Sequence, residues 1–328
     1  MWAVVLVVLA GCPTGNRRKD VQLSPLPPKP TALPGAQAAA GRDGALMGYV
    51  DGGSFLRGSA EWEVDKAYNL CERFTPGNCN REWFETESPQ RTITLSAYWM
   101  DVTEVTNAQY DQCVAVGACA PPNLARCLLW DVEAGDWAPL PPHENRARFG
   151  RPDQPVVCVN WHEATAYCEW AGKRLPTEAE WEKAARGDKA QTFPWGESDP
   201  SCDVANMYNQ EAGGFGCGRD ATAPVGSYRE SPSPYGMLDM GGNAFEWVQD
   251  YDDAQFYIHS PAQDPVNLDP PTQTTEEEGV AVTMPSDVRG IRGGAWNADA
   301  MLMRGANRGG FAEAGRTVYT GFRCAMNP

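Results

Sequence analysis

A chain of 328 residues with a formal charge of -16 has room for one large domain or two of ordinary size. Its acidity argues against a nucleic-acid or anionic-membrane surface, since either would need basic patches to neutralise phosphates. The 12 Trp, 11 Tyr and 10 Phe, set among 33 Gly and 27 Pro, point to aromatic clusters pinned by loops and to few long regular elements.

Residues Trp2 to Ala10 are apolar but too few to cross a hydrocarbon core, which takes about 20 residues, so they read as a signal h-region although no Lys or Arg precedes them. Leu9-Ala10-Gly11-Cys12 has the small-residue pattern of a bacterial lipobox, with Cys12 as the acylated mature N-terminus. Acyl chains anchor through about 0.8 kcal/mol per buried methylene. The predicted organisation is a signal peptide over 1–12, a Pro/Ala-rich tether over 13–45 that buries too little to offset chain entropy, and one domain over 46–328. This places the protein outside the cytoplasm, in the periplasm or at the outer membrane or cell surface, touching the membrane through its lipid alone.

Within the domain, Gly48 to Ser59 alternates short β-prone runs with turn residues. A helix is predicted from Asn107 to about Val116. Asn160 caps a second, whose apolar positions Trp161, Ala164, Tyr167, Cys168 and Ala171 recur at helical spacing before Gly172 ends it. Thr177 and Glu180 form a capping box for a third, running through Trp181 and Ala184 to Gly187. From about 252 to 287 the chain is acidic and rich in proline (Pro261, Pro265, Pro270, Pro271, Glu276-Glu277-Glu278), which predicts an irregular, solvated insertion. It precedes Arg292-Gly293-Gly294 and so can cover a groove there.

Of the 11 cysteines, those left after Cys12 form an even set compatible with five disulfides in an exported protein. Close spacing suggests Cys71 with Cys79, Cys113 with Cys119 and Cys202 with Cys217; Cys127, Cys158, Cys168 and Cys324 remain to pair over longer distances. No two cysteines have zinc-ribbon spacing, and His143, His162 and His259 are scattered, so a thiolate metal site is not expected.

An ordered series of motifs resembles the formylglycine-generating enzyme (sulfatase-modifying factor) family: Glu104-Val105-Thr106-Asn107-Ala108-Gln109-Tyr110, Lys173-Arg174-Leu175-Pro176-Thr177-Glu178-Ala179-Glu180-Trp181-Glu182, Phe193-Pro194-Trp195-Gly196, Gly241-Gly242-Asn243-Ala244-Phe245-Glu246-Trp247, Arg292-Gly293-Gly294 and Gly321-Phe322-Arg323. The resemblance implies an α+β fold, a single C-type-lectin-like domain with little regular secondary structure and a working groove near the C-terminal third. Members that act on sulfatases oxidise a substrate cysteine with molecular oxygen, holding copper(I) on two thiolates, a soft donor for a soft ion. Carried onto this chain, the thiol positions fall on Ala298 and near Met303, and the motif serine is Ala295. Copper is therefore not expected. Met301 and Met303 carry thioethers, but methionine at such spacing suits core packing.

The resemblance also implies a Cys168–Cys324 staple. A second family bridge would fall at Ala185 and near Gly305, where cysteine is absent, and Cys113–Cys119 with Cys127–Cys158 would replace it. It further implies a structural calcium held by the Asp239 side chain, the carbonyls of Gly242 and Ala244, and the Glu246 carboxylate, hard oxygens on a glycine-rich turn. Of a second calcium set, Asn206 and Met207 match, Cys217 stands where aspartate is expected, and Asp220 is the substitute.

Two functions follow. The first is a non-catalytic recognition lipoprotein that binds a peptide or envelope protein partner in a groove lined by Trp296, Asn297, Arg304, Asn307 and Arg308. The alternative is a family enzyme with altered metal- and oxygen-dependent, protein-modifying chemistry. Formylglycine generation ranks last, because scaffold does not carry chemistry when its reacting groups are gone.

Overall fold

The computed structural model describes residues 41–131, 135–277 and 280–328; the expected signal peptide, Cys12 and all but the last residues of the tether lie outside them. Among the described residues no helix is long and apolar enough to cross a membrane. The α-helices are α1 (Glu61–Phe74), α2 (Glu82–Glu85), α3 (Asn107–Ala115), α4 (Pro142–Phe149), α5 (Trp161–Trp170), α6 (Glu178–Arg186) and α7 (Ala254–His259). The three predicted helices are α3, α5 and α6, and local chemistry starts each. Thr106, Asn160 and Thr177 accept from the amides of Gln109, Glu163 and Glu180, and each of those side chains reaches back to the cap amide. Such reciprocal caps satisfy two otherwise unpaired donors.

A three-stranded sheet pairs β1 (Met47–Val50), β4 (Tyr98–Asp101) and β13 (Ala325–Met326), joining the two ends of the domain. A second pair, β2 (Gly53–Arg57) with β3 (Arg91–Leu95), packs under α6. The hairpin β5 (Leu128–Asp131) with β6 (Asp136–Pro139) sets Trp130 opposite Trp137. The central sheet is ordered β11 (Gly309–Ala312), β10 (Val288–Arg292), β7 (Phe245–Tyr251), β12 (Thr320–Gly321). Trp181, Trp247 and Trp296 are the largest fully buried side chains, and all nine residues of α6 are buried, among them Glu182, Lys183 and Arg186. A helix so enclosed must pair its charges internally.

Two regions depart from the sequence-based expectations. α1 was not anticipated, although Val64, Ala67, Leu70 and Cys71 make a buried stripe at helical spacing. The segment from 252 to 287, expected to be irregular, holds α7 and a hairpin of β8 (Thr272–Glu277) and β9 (Val280–Pro285). Its first half is packed, with Tyr257, Ser260 and Asn267 buried. The cause is Arg57 and Arg91, whose guanidinium groups use its carbonyls as acceptors: Arg57 bonds the Tyr257 carbonyl, and Arg91 Nη1 bonds that of Ile258 at 2.7 Å. All five expected disulfides are present, Cys71–Cys79, Cys113–Cys119, Cys127–Cys158, Cys168–Cys324 and Cys202–Cys217.

Candidate functional site

β10 ends at Arg292, and the chain reverses through Gly293 and Gly294, whose φ angles are 96° and 77°. A Cβ on Gly294 would sit 2.6 Å from Met303 Cε and 2.9 Å from the Leu302 carbonyl, so only glycine fits both the left-handed backbone and the space. The residues that follow fill the interior: Ala295, Ala298 and Met303 are buried. Met303 packs on Gly294 and against Gly242, where an added Cβ would meet its sulfur at 3.2 Å. The ten cysteines of the described residues are all bridged, so none of them is a free thiolate for a soft metal.

Beside this turn lies a cavity of about 520 Å³, within the range that takes a drug-sized molecule or a few residues of peptide. Its walls are aromatic: Trp83 and Phe84 of α2, Trp130 and Trp137 of the β5–β6 hairpin, Phe311 of β11, and Tyr319. Trp137 is the hub, with ring centroids 5.5 Å from Trp130, 5.9 Å from Phe311 and 6.1 Å from Tyr319. Among the polar residues of the lining, Arg308 and Asp252 are paired with each other. Arg308 Nε donates to Glu178 Oε1 at 2.7 Å, and its Nη2 reaches Asp252 Oδ1 at 3.2 Å. Burial pushes Asp252 up, with Arg308 opposing. Burial also opposes ionisation of Glu178, but Arg308 and Arg292 outweigh it and hold its carboxyl below the usual range. Asn297 is among the lining residues, while its Oδ1 is buried from solvent and has no hydrogen-bond partner.

Of the five residues expected in the groove, Asn297, Asn307 and Arg308 line this cavity, as does Met301; Trp296 and Arg304 lie behind it. Trp296 belongs to the core, its Nε1 donating to the Val318 carbonyl at 3.1 Å and its ring packed on Tyr319 and Phe149 at 5.4 and 5.5 Å. Arg304 is a buried staple, forked onto both oxygens of Glu87 at 2.6 Å. Buried groups of this kind must find partners inside the protein, which removes them from ligand contact. The aromatic walls were not anticipated. Their signal is the pair Trp130 and Trp137, which flank a short polar turn in the sequence as the arms of a hairpin would.

The expected calcium loop is only partly suited to a cation. Glu246 receives Arg323 on both oxygens at 2.7 Å and Trp181 Nε1 at 2.7 Å, a set that fits a guanidinium. Asp239, at φ 58°, accepts from the Gly226 amide. The acid with spare capacity is Glu104, which sequence reasoning did not single out: Oε1 accepts from Asn243 Nδ2 at 2.8 Å, while buried Oε2 has no partner. Burial, then the charge of Asp239, push Glu104 well above the usual carboxyl range, and burial raises Asp239 too. Two buried acids with an orphan oxygen need a cation or a shared proton, and hard oxygen donors suit calcium. In the second set, Met207 gives its carbonyl to the Cys217 amide at 2.9 Å, Asp220 pairs with Arg148 at 3.0 Å, and Asn206 Oδ1 is buried without a partner. Among the described residues no three His, Cys, Asp or Glu side chains converge on one metal position.

The chain is 36% identical over 209 residues to the formylglycine-generating enzyme of Streptomyces coelicolor, covering 55% of this chain and 66% of that one. It is 32% identical over 262 residues to the hercynine oxygenase of Mycolicibacterium smegmatis, covering 74% and 56%. The chain thus spans about two thirds or less of the length of these curated relatives. PvdO from Pseudomonas aeruginosa shares the fold, with a TM-score of 0.61 at 24% identity over 90% of this chain and 100% of that one. The sulfatase-modifying factor enzyme 1-like domain matches residues 35–328, and the protein belongs to that family.

Proposed function

We propose that this protein is an exported, lipid-anchored, non-catalytic member of its family that binds a peptide segment of an envelope partner in the aromatic cavity. What supports this reading is that the positions matched to the family's thiols, Ala298 and Met303, are buried in the core while the adjacent Asn297, Met301 and Leu302 help line an apolar cavity. The lipobox at Cys12 and the five disulfides support export. A photo-crosslinking residue in place of Trp83, which is 37% exposed at the cavity wall, should trap discrete protein adducts in cells. The same residue in place of Val116, 68% exposed and not among the lining residues, should not. Equal adducts from both, or none from either, would remove the cavity from the reading. Cys12→Ser should release the protein from membranes. Incubation with copper(I), oxygen and a Cys-x-Pro-x-Arg peptide should leave the peptide mass unchanged, and conversion to formylglycine would overturn the non-catalytic assignment.

A calcium ion accompanies this reading, with Asp239 and Glu104 as its carboxylates and the carbonyls of Gly242 and Ala244 as further hard donors; bound there, it would neutralise the buried acid pair. The sign of the pH effect is fixed by the raised carboxyls. The folded state holds protons that the unfolded state releases, so metal-free stability falls as pH rises from about 4 through the folded-state titration. Chelation should therefore lower the melting temperature more at pH 8 than at pH 5, calcium should restore it at pH 8, and Glu104→Gln should flatten both responses. A melting curve at pH 8 indifferent to chelator would rule the ion out.

A further inference from the structure

We infer that the cavity takes its peptide as an added β-strand along β11, with alternate side chains entering the aromatic walls; this rests on the peptide-binding reading above. β11 is the edge strand of the central sheet, paired among the described residues with β10 alone, and of its backbone groups the Ala312 carbonyl also accepts from the Gly315 amide at 2.8 Å. All four of its residues, Gly309 to Ala312, line the cavity, and each is half-buried. An edge strand presents a row of backbone donors and acceptors along its free side, which is the template that strand addition uses. The two glycines let β11 pack closely on its neighbours: a Cβ on Gly310 would meet Asp252 Oδ2 at 2.5 Å and Val288 Cγ1 at 2.6 Å.

The walls then set the side-chain pattern. Residues of an added strand point alternately to opposite sides, and on the cavity side they meet Trp137, 5.9 Å from Phe311, with Trp130 behind it. Trp83 and Phe84 also line the cavity. Such walls accept a large aromatic or branched apolar side chain at every second position. Charge narrows the occupant further. Arg308 is already neutralised by Glu178 and Asp252, Glu82 also lines the cavity, and the whole chain carries -16. The favoured peptide is therefore neutral or basic.

The test selects dodecapeptides from a random displayed library on the purified, disulfide-intact protein, with counter-selection on Trp137→Ala, and then methylates the backbone nitrogens of the winning peptide one at a time. Strand addition predicts a period of two: methylation at alternate residues weakens binding tenfold or more, and methylation between them changes it less than twofold. The methylated peptides are all measured on the intact protein, so the periodicity does not depend on whether Trp137→Ala folds. A selected peptide that needs Trp137 but tolerates methylation everywhere, or loses binding without periodicity, would sink strand addition and leave the peptide reading standing. A library that yields no peptide, or a glycan array that binds where peptides do not, would overturn the peptide reading itself.

Discussion

Glu182→Ala is expected to cost about 3 to 5 kcal/mol of stability, the range for removing one partner of a buried, hydrogen-bonded charge pair. Glu182 is fully buried in α6 and is the acceptor for four donors from four parts of the chain: the Gly58 amide at 2.6 Å, Arg186 Nη1 at 2.9 Å, Arg292 Nη2 at 2.9 Å and the Tyr257 hydroxyl at 3.1 Å. Arg186 would keep Glu63 at 2.7 Å. Arg292 would keep the Gly305 and Ala306 carbonyls and a Glu178 contact at 3.5 Å, a poor exchange for a direct carboxylate. Because Arg292 leads into the Gly293-Gly294 turn, the loss should reach the cavity as well as the fold, loosening the segment that carries Asn297 and Met301. Urea unfolding measures the effect, and Glu197→Ala is the internal standard. Its partner Lys66 also lies 2.6 Å away, and Glu197 accepts from the Thr192 amide and hydroxyl at 2.9 and 2.7 Å, but the Glu197 and Lys66 side chains are 59% and 43% exposed, so the cost there should fall well below that at Glu182. Equal losses at the two sites would mean that burial does not decide the worth of these pairs.

What the sequence made legible is what short-range chemistry decides. Thr106, Asn160 and Thr177 announce their helices because a cap and the residue three positions on interact within one turn. The Cys71–Cys79, Cys113–Cys119 and Cys202–Cys217 pairs follow from spacing, and Cys168–Cys324 from the family motif. Illegible was the direction in which a polar or aromatic side chain points once the chain has turned. Arg304 and Trp296 sit beside the turn that family resemblance marks, and they read as groove residues; yet Arg304 is claimed by Glu87, 217 residues away, and Trp296 by the Val318 carbonyl. Glu246 looked like an open metal ligand for the same reason, since nothing near it in sequence reveals Arg323. The cavity walls come from α2, the β5–β6 hairpin and β11, segments more than 40 residues apart whose meeting is a property of the topology.

Replacing both Cys168 and Cys324 with alanine should lower stability by about 5 kcal/mol, on the chain-entropy estimate for a closed loop of this size. The bridge spans 156 residues. It joins the buried face of α5 to the strand segment that closes the β1–β4–β13 sheet, where the Cys324 amide donates to Asp101 Oδ2 at 3.0 Å and Asp101 in turn accepts from Lys173 at 2.7 Å. Lys173 is fully buried between Asp101 and Asp43, so slack at Cys324 is transmitted to an ion cluster that also holds the first described residues of the domain. Cys113–Cys119 closes only 6 residues, and the same relation gives about 2 kcal/mol for its removal. The difference of about 3 kcal/mol between the two double variants isolates loop length from the loss of buried sulfur, because Cys113, Cys168 and Cys324 are alike in being fully buried. At about 2 to 4 °C per kcal/mol for a domain approaching this size, the long-loop variant should melt about 10 to 20 °C below the wild type under non-reducing conditions, and the short-loop variant about 4 to 8 °C below. Indistinguishable melting temperatures for the two would show that native packing around the bridges, rather than restriction of the unfolded chain, sets their worth.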